Sequence, residues 1–268
     1  MKLKELLAKK SIKGEIGIEI ETEGENIVMA VNGANSKFWK TERDGSLRGN
    51  FPEGAAEFVL AQPLEVKDVE AAVDELIELQ KDATFNFSHR TSVHIHMNVL
   101  DYTIEDLGAL FSVYYMCEDV LLNFCGDSRK GNHFCLRYRD ADGIAVGLKA
   151  LGENFARGLN SLSNDHFKYA ALNLAPMTSY GSVEFRGMRG TMDKKVLMTW
   201  IGALVAMRDF AKKMGTAKKV YEYPFTVPAD QMFDEIFGEY AEALKYPGYL
   251  DDLTMSRSLS LDIPFFFN

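Results

Sequence analysis

Four short stretches of the chain alternate apolar residues with residues that could do chemistry. Successive side chains of a β-strand point to opposite faces, so each stretch would offer one apolar face and one face of carboxylates, imidazoles or a guanidinium. One sheet built from all four would carry a metal site and a phosphate site on its open face. The stretches are 15–21 (EIGIEIE), 56–59 (AEFV), 93–99 (VHIHMNV) and 183–186 (VEFR).

The acids and histidines of these stretches have the composition of a cation site. Glu19 and Glu21 would place two carboxylates side by side, as a hard divalent cation requires, although solvated acids on a sheet are common. His94 and His96 are more informative, because two imidazoles followed by Asn98 on one face are uncommon as solvent decoration. With no cysteine in these stretches, the oxygen-rich set suits magnesium or manganese better than zinc.

Glu184 and Arg186 share the last stretch and have the character of a metal ligand beside a phosphate clamp. A surface ion pair is the alternative for these two residues alone. The joint occurrence of four polar strand faces favours a metal and phosphate site, because otherwise four separate strands would all carry polar faces without a function. The chain contains neither GxxxxGK[ST] nor GxGxxG, so metals and arginines would have to hold the phosphates of any nucleotide.

Composition restricts the class of protein. The chain has 268 residues and a net charge of -9, with a pI of about 5.2. This balance argues against a general binder of nucleic acid or of anionic membranes and favours small-molecule partners. The three cysteines form no CxxC pair, the first ten residues lack the apolar core of a signal peptide, and no apolar stretch could span a bilayer. A cytoplasmic location is therefore predicted.

Periodicity predicts a mixed order of strands and helices. Strands are predicted at about 13–22, 55–60 and 91–99, and helices at about 66–83, 104–124, 194–214 and 229–245. Thr103 with Asp106 is typical of a helix start and Gly126 of a helix end, and Asp193 and Gly215 would bracket the next long helix. The economical architecture is one α+β domain over 1–268, with an antiparallel sheet backed by helices on one side.

The segment 126–166 lacks a sustained period and is too long for an ordinary connection. Such segments are usually lids, binding loops or local disorder, and we interpret this one as a lid or substrate insertion. Its cationic side chains could reach over the sheet to bind phosphate or a substrate carboxylate, or could be solvated surface charge. They are Arg129, Lys130, Arg137 and Arg139.

Taken in order, the motifs resemble the putative amidoligase family, which belongs to the carboxylate–amine ligases with the glutamine-synthetase catalytic fold. The similarity extends over most of residues 14 to 210, and its combination of motifs is more specific than any one of them. The motifs are GIEIETEG at 17–24, Trp39, RDGSL at 43–47, AAEFVLAQPL at 55–64, SVHIHMN at 92–98, YAALNL at 169–174 and GSVEFRGMRGTMD at 181–193.

This resemblance implies a twisted antiparallel sheet that forms a half-open funnel, with ATP and about two divalent cations (Mg²⁺ or Mn²⁺) on its concave face. By position, the implied metal ligands are Glu19, Glu21, Glu57, His94 and Glu184. Arg186 would steady the transferred phosphoryl group. Further nucleotide contacts are expected from His96 and Asn98, and also from Arg139 of the segment 126–166, which matches the family poorly. Asp44, Ser46 and Asn173 match motif positions of less defined role.

The implied chemistry is ATP-driven amide formation between small-molecule or peptide carboxylates and amines. ATP would phosphorylate a carboxylate, and an amine would displace phosphate from the resulting acyl phosphate. Asp44 is the candidate base for the incoming ammonium. Three alternatives stay open: a phosphotransferase of guanidino-kinase type, a hydrolase with zinc on His94, His96 and a glutamate, and a binding protein stabilised by a metal.

Overall fold

The computed structural model describes residues 1–162 and 167–267, and its centre is an open antiparallel sheet of seven strands. The strand order is β2-β3-β1-β5-β7-β6, and β4 pairs with the end of β1. The strands are β1 (Ile16–Glu25), β2 (Trp39–Glu42), β3 (Ala55–Leu60), β4 (Thr84–Phe85), β5 (Ser92–Asn98), β6 (Leu172–Asn173) and β7 (Ser182–Arg189).

Helices occupy most of the rest of the described chain. Four 3-10 turns connect some of them, at Asp127–Arg129, Tyr138–Asp140, Tyr223–Phe225 and Gly238–Tyr240. The α-helices are α1 (Leu3–Leu6), α2 (Val66–Leu79), α3 (Ile104–Cys125), α4 (Asp142–Glu153), α5 (Phe155–Leu162), α6 (Pro176–Ser179), α7 (Lys194–Met214), α8 (Ala217–Glu222), α9 (Ala229–Phe237), α10 (Ala241–Leu244), α11 (Tyr249–Leu259) and α12 (Ile263–Phe266).

The apolar face of the sheet packs against helices and fixes the strand register. Ile18, Ile95 and Phe185 are at most 1% exposed, and the ring of Tyr114 in α3 lies 5.4 Å from that of Phe185. Burying each such side chain contributes about 1.5–3 kcal/mol. A slip of one residue would turn these side chains to the polar face, so the packing sets which residues pair across the sheet.

This register brings the polar positions of four strands to one face. Glu19 pairs with His94 across β1 and β5, and Glu21 pairs with Glu57 across β1 and β3. Glu184 of β7 stands opposite His96. Paired residues of an antiparallel sheet project to the same side, so the polar face predicted from the alternation is confirmed.

The helix ends predicted from the sequence are confirmed at α3 and α7. The hydroxyl of Thr103 accepts from the Asp106 N–H, and the Asp106 carboxylate accepts from the Thr103 N–H. Asp193 accepts from the N–H of Val196, and Gly215 ends α7 in the left-handed region at φ +76°. These signals are local, which is why the sequence placed them to within one residue.

The prediction of one helix was wrong, and several elements were not predicted. The helix expected over 229–245 is interrupted at Gly238, whose φ of +53° cannot continue an α-helix, and α11 and α12 follow it. The segment 126–166 contains the helices α4 and α5, where no period was recognised, and its last four residues lie outside the described part of the chain. Strand β2 was not predicted.

The described residues include no helix long and apolar enough to cross a membrane.

Cys117, Cys125 and Cys135 are free thiols and all three are buried. The first two lie in α3.

Candidate active site

His94 is the centre of the polar face. Its Nδ1 atom lies 3.1 Å from Oε2 of Glu19 and 3.2 Å from Oε1 of Glu184, and its side chain is only 3% exposed. One ligand atom from each of these three residues falls within 4.8 Å of the others. Two carboxylate oxygens and one imidazole nitrogen at this spacing are a donor set that a divalent cation could bridge.

A second group of potential ligands shares His94 with the first. Glu21, Glu57 and His94 also bring one ligand atom each within 4.8 Å. Ser92 joins this group through its hydroxyl, which donates to Oε2 of Glu21 at 2.5 Å and lies 2.7 Å from Nε2 of His94. The sequence interpretation did not single out Ser92, although it has the same strand parity as His94.

Burial raises the pKa of two of these acids, and neighbouring negative charges raise it further. Burial and then the negative charges of Glu19 and Glu21 raise the pKa of Glu57 to about 8. Burial also raises the pKa of Glu21, against the opposing effects of His94 and of the Ser92 hydrogen bond. Acids held this close favour a cation between them, because its charge would relieve the repulsion.

Glu19 has the opposite character. Burial would raise its pKa, but hydrogen bonds and charge from His94 and His96 outweigh burial and leave the pKa below its usual range. Burial would lower the pKa of His96, yet the hydrogen bond that its ring donates to Glu19 and the charge of Glu184 raise it. Nε2 of His96 lies 3.1 Å from Oε1 of Glu19, and its Nδ1 lies 3.2 Å from the Ser182 hydroxyl, a second contact that sequence reasoning missed.

Glu184 is held by two donors from its own sheet. Arg186 approaches Oε1 of Glu184 with NH1 at 2.5 Å, and Asn173 of β6 donates from Nδ2 to Oε2 at 2.6 Å. Nε of Arg186 is buried and has no hydrogen-bond partner among the described residues. An unpartnered guanidinium N–H beside an acidic cluster is a donor that a phosphate oxygen could satisfy.

Asp44 lies in the loop after β2. Its Oδ1 atom accepts from the Ser46 N–H at 2.5 Å. After burial and closer neighbours, the charge of Asp44 also contributes to the raised pKa of Glu21 and Glu57, which places it near both. The loop is tied to the start of β5 by Arg90, whose NH1 donates to the Ser46 carbonyl at 3.0 Å.

A cleft of about 570 Å³ opens beside the cluster, and Glu19, Glu57 and His96 form part of its wall. Asn98 also lines it, although the Asn98 amide already bonds the backbone at the Gly14 carbonyl and the Leu100 N–H. Three lysines, one tyrosine, two further glutamates (Glu15 and Glu42) and several apolar side chains also line the cleft. The lysines and the tyrosine are Lys9, Lys10, Lys40 and Tyr180.

The cations of the segment 126–139 do not join this cluster. Arg139 was expected to contact a nucleotide, but its NH1 lies 3.0 Å from Asp119 of α3, the helix that packs on the apolar face of the sheet. Arg137 also binds Asp119, and Lys130 pairs with Asp127 at 2.9 Å. Their carboxylate partners, Asp119 and Asp127, do not belong to the polar face of the sheet. The alternation of residues along the strands could not predict these pairs.

No curated protein matches the chain. Among solved structures, a bifunctional glutathione synthetase from Pasteurella multocida has 11% sequence identity and a TM-score of 0.33, with 95% of this chain and 48% of that chain covered. The present chain thus spans about half the length of that protein. The family model described as "Putative amidoligase enzyme" matches residues 7–207, so the chain belongs to this amidoligase family.

Proposed function

We propose that the protein is an ATP-dependent carboxylate–amine ligase that forms an amide or peptide-like bond through an acyl phosphate. The observation that carries this proposal is the convergence of Glu19 and Glu184 on His94, with Arg186 held against the same Glu184 carboxylate. Family membership supports a ligase. In this proposal the antiparallel sheet is the counterpart of the glutamine-synthetase catalytic sheet, with its polar face as the concave one.

The residues of both acidic groups fit divalent cations. Each group offers two carboxylates and His94, and oxygen-rich sets of this kind suit Mg²⁺ or Mn²⁺. Bound cations would neutralise phosphate oxygens during transfer. Within the described part of the chain neither group contains both His94 and His96, which disfavours the alternative of a zinc hydrolase built on that pair.

The cleft beside the cluster is the proposed ATP site. Its volume of about 570 Å³ lies within the range of small-molecule pockets. His96 and Asn98 line it, and the ammonium groups of Lys9 and Lys10 supply positive charge for a triphosphate, whereas Lys40 pairs with Glu42. The acids Glu19 and Glu57 stand where this cleft meets the proposed cation sites, so a terminal phosphate could be shared between them.

The chemistry requires a carboxylate to become a better electrophile. A substrate carboxylate oxygen attacks the terminal phosphorus of ATP, ADP leaves, and an acyl phosphate remains. An amine then attacks the carbonyl carbon, inorganic phosphate leaves, and the amide forms. Arg186 opposes the charge that spreads over the phosphoryl oxygens, and Asp44 takes the proton from the incoming ammonium.

Metal-dependent nucleotide binding tests this proposal. A non-hydrolysable ATP analogue should raise the melting temperature with Mg²⁺ and leave it unchanged with a chelator, because the acids alone would repel triphosphate. Glu19→Gln should lose this stabilisation. Glu25→Gln is the matched control, since Glu25 is an exposed carboxylate on the same strand. Equal stabilisation with Mg²⁺ and with chelator would refute the proposal.

A further inference from the structure

Arg129 has an environment that is unusual for an arginine. Its side chain is among the largest fully buried ones of the protein, at 1% exposure. Among the described residues no carboxylate pairs with it, whereas Arg137 and Arg139 nearby both pair with Asp119. Burying a guanidinium without a counter-charge is unfavourable unless its hydrogen bonds are well placed. The contacts of Arg129 therefore indicate what the residue is for.

The guanidinium of Arg129 binds the backbone of β7 at two consecutive residues. Nε donates to the carbonyl of Gly187 at 3.1 Å and NH2 donates to the carbonyl of Arg186 at 2.8 Å. NH1 is buried and has no partner in the described part of the chain. The rigid fork of arginine suits two adjacent acceptors, which a single ammonium group could not satisfy with the same geometry.

These two carbonyls belong to an irregularity in the sheet. Ile95 pairs with Phe185 and Val93 pairs with Met188, so Arg186 and Gly187 together stand opposite the single residue His94. A bulge of this kind leaves backbone groups out of the regular ladder and changes the direction of a side chain. Here Arg186 is the first residue of the bulge, and it carries the guanidinium at the candidate active site.

The segment that contains Arg129 supports β7 from the side of β6. The N–H of Arg186 donates to the carbonyl of Ala171, and the N–H of Ala171 donates to the carbonyl of Leu136, both at 2.8 Å. Cys135 contacts the carbonyl of Arg129 at 3.3 Å through its thiol. The bulge is thus held from one side by backbone pairing and at its carbonyls by one buried side chain.

We propose that Arg129 is a positioning residue that locks this bulge and so aims the Arg186 guanidinium at the acidic cluster; its catalytic consequence rests on the proposed ligase function. Arg129 touches neither the acids nor the cleft. Its effect on the reaction passes through the backbone of Arg186 and Gly187. The segment 126–166 is interpreted from sequence as a lid or substrate insertion. In this proposal it also supports the site, because its residue Arg129 binds the backbone of β7.

A spectroscopic test needs neither metal nor nucleotide. The Nε–H signal of Arg186 is assigned in a ¹⁵N spectrum by its loss in Arg186→Lys, and is then followed in Arg129→Met and Arg129→Lys. Loss of charge alone would move the signal only in the methionine variant. Positioning by the two-carbonyl fork moves it in both. Arg189→Met is the control, because Arg189 binds one carbonyl, of Phe124, outside the bulge.

An unchanged Arg186 signal in folded Arg129→Lys, or an equal change in Arg189→Met, would overturn the proposal. The lysine variant keeps the charge and one donor, so it remains informative if the methionine variant fails to fold. Unfolding is followed by circular dichroism for every variant.

Nucleotide affinity provides the functional arm. Arg129→Met should weaken binding of the Mg²⁺ complex of the ATP analogue by about tenfold. Combined with Arg186→Lys, it should cause no further loss, because both act through one guanidinium. Additive losses would overturn the proposal. If the wild-type protein binds no nucleotide, the proposed function fails, while the ligand-free spectra still decide whether Arg129 positions Arg186.

Discussion

Arg186 and Glu184 lie two residues apart on β7 and meet at 2.5 Å between NH1 and Oε1. The proposed phosphate-binding group is therefore held, without nucleotide, by a proposed metal ligand. The same Oε1 atom lies 3.2 Å from His94. A cation bound at this oxygen would compete with the guanidinium, so we expect metal binding to free Arg186 for phosphate. This order of events explains why nucleotide should bind only after metal.

Arg186→Lys should lower the rate of ADP formation by about 10³-fold or more, the scale on which arginines stabilise phosphoryl transfer. A lysine keeps the charge but loses the planar fork. Steady-state ADP release under saturating ATP and Mg²⁺ measures the effect. Arg189→Lys, on the same strand, should retain activity. A near-normal rate in Arg186→Lys would remove this residue from the proposed site.

Glu57→Gln should weaken metal binding without destabilising the metal-free protein. With a pKa of about 8, the Glu57 carboxyl is largely protonated at neutral pH before metal binds, so a neutral amide replaces a neutral acid. Loss of this ligand should weaken Mn²⁺ binding at least 10- to 100-fold, because removing even a group that only hydrogen-bonds to a metal ligand has an effect of that size. Calorimetric titration with Mn²⁺ and thermal unfolding in chelator measure the two effects. An unchanged Mn²⁺ affinity would exclude Glu57 as a ligand.

Asn173→Ala should reduce activity about 10- to 100-fold, because Oε2 of Glu184 would lose the donor that orients it. The side chain is buried at 5% exposure, so a modest loss of stability is also expected. Asn123→Ala is the control, since Asn123 accepts from Lys130 and belongs to neither acidic group nor the cleft. Full activity in folded Asn173→Ala would show that Glu184 needs no such support.

Stability should fall as the pH rises, in part because of Glu118 in α3. Burial raises the pKa of this carboxyl to about 8, from 4.5. The unfolded chain therefore loses the Glu118 proton before the folded chain does. The contribution is fully favourable below pH 4.5, is lost progressively between 4.5 and 8, and amounts to a few kcal/mol, about 1.4 kcal/mol per pKa unit.

Glu118→Gln should flatten this slope and make the protein more stable than the wild type above pH 8. Its amide oxygen can still accept from the Tyr138 N–H, as the carboxylate does at 2.9 Å. Urea unfolding at pH 5.5, 7 and 8.5 measures the difference, and the exposed Glu105→Gln is the control. Parallel pH profiles for wild type and Glu118→Gln would contradict this assignment.

Much of the candidate site could be predicted because its information is local. Alternation with a period of two placed Glu19, His94 and Glu184 on one face, and the buried apolar face then brought the strands into register. Caps at Thr103 and Asp193 fixed two long helices for the same reason. Ser92 and Ser182 have the same parity as the site residues. Serines are so common on polar strand faces that the sequence could not distinguish these two from solvent-exposed ones.

The rest depends on contacts between distant segments. Arg129, Arg137 and Arg139 are similar in sequence context, yet one is buried on the β7 backbone and two bind Asp119 of α3. No local pattern predicts these contacts, because Asp119 lies more than fifteen residues from both arginines and the partners of Arg129 are backbone carbonyls; only the pairing of Arg137 with Asp140 is local. The break at Gly238 was also missed, since an apolar period continued across it.

Product analysis tests the central claim most directly. Purified protein with ATP and Mg²⁺ is offered a pool of amino acids, polyamines and small peptides, and ADP, inorganic phosphate and new masses are measured together. A ligase should yield one ADP and one phosphate for each new mass equal to acid plus amine minus water, with no product when ATP is omitted or in Glu184→Gln. A phosphorylated acceptor formed without free phosphate would contradict the account and identify a phosphotransferase instead.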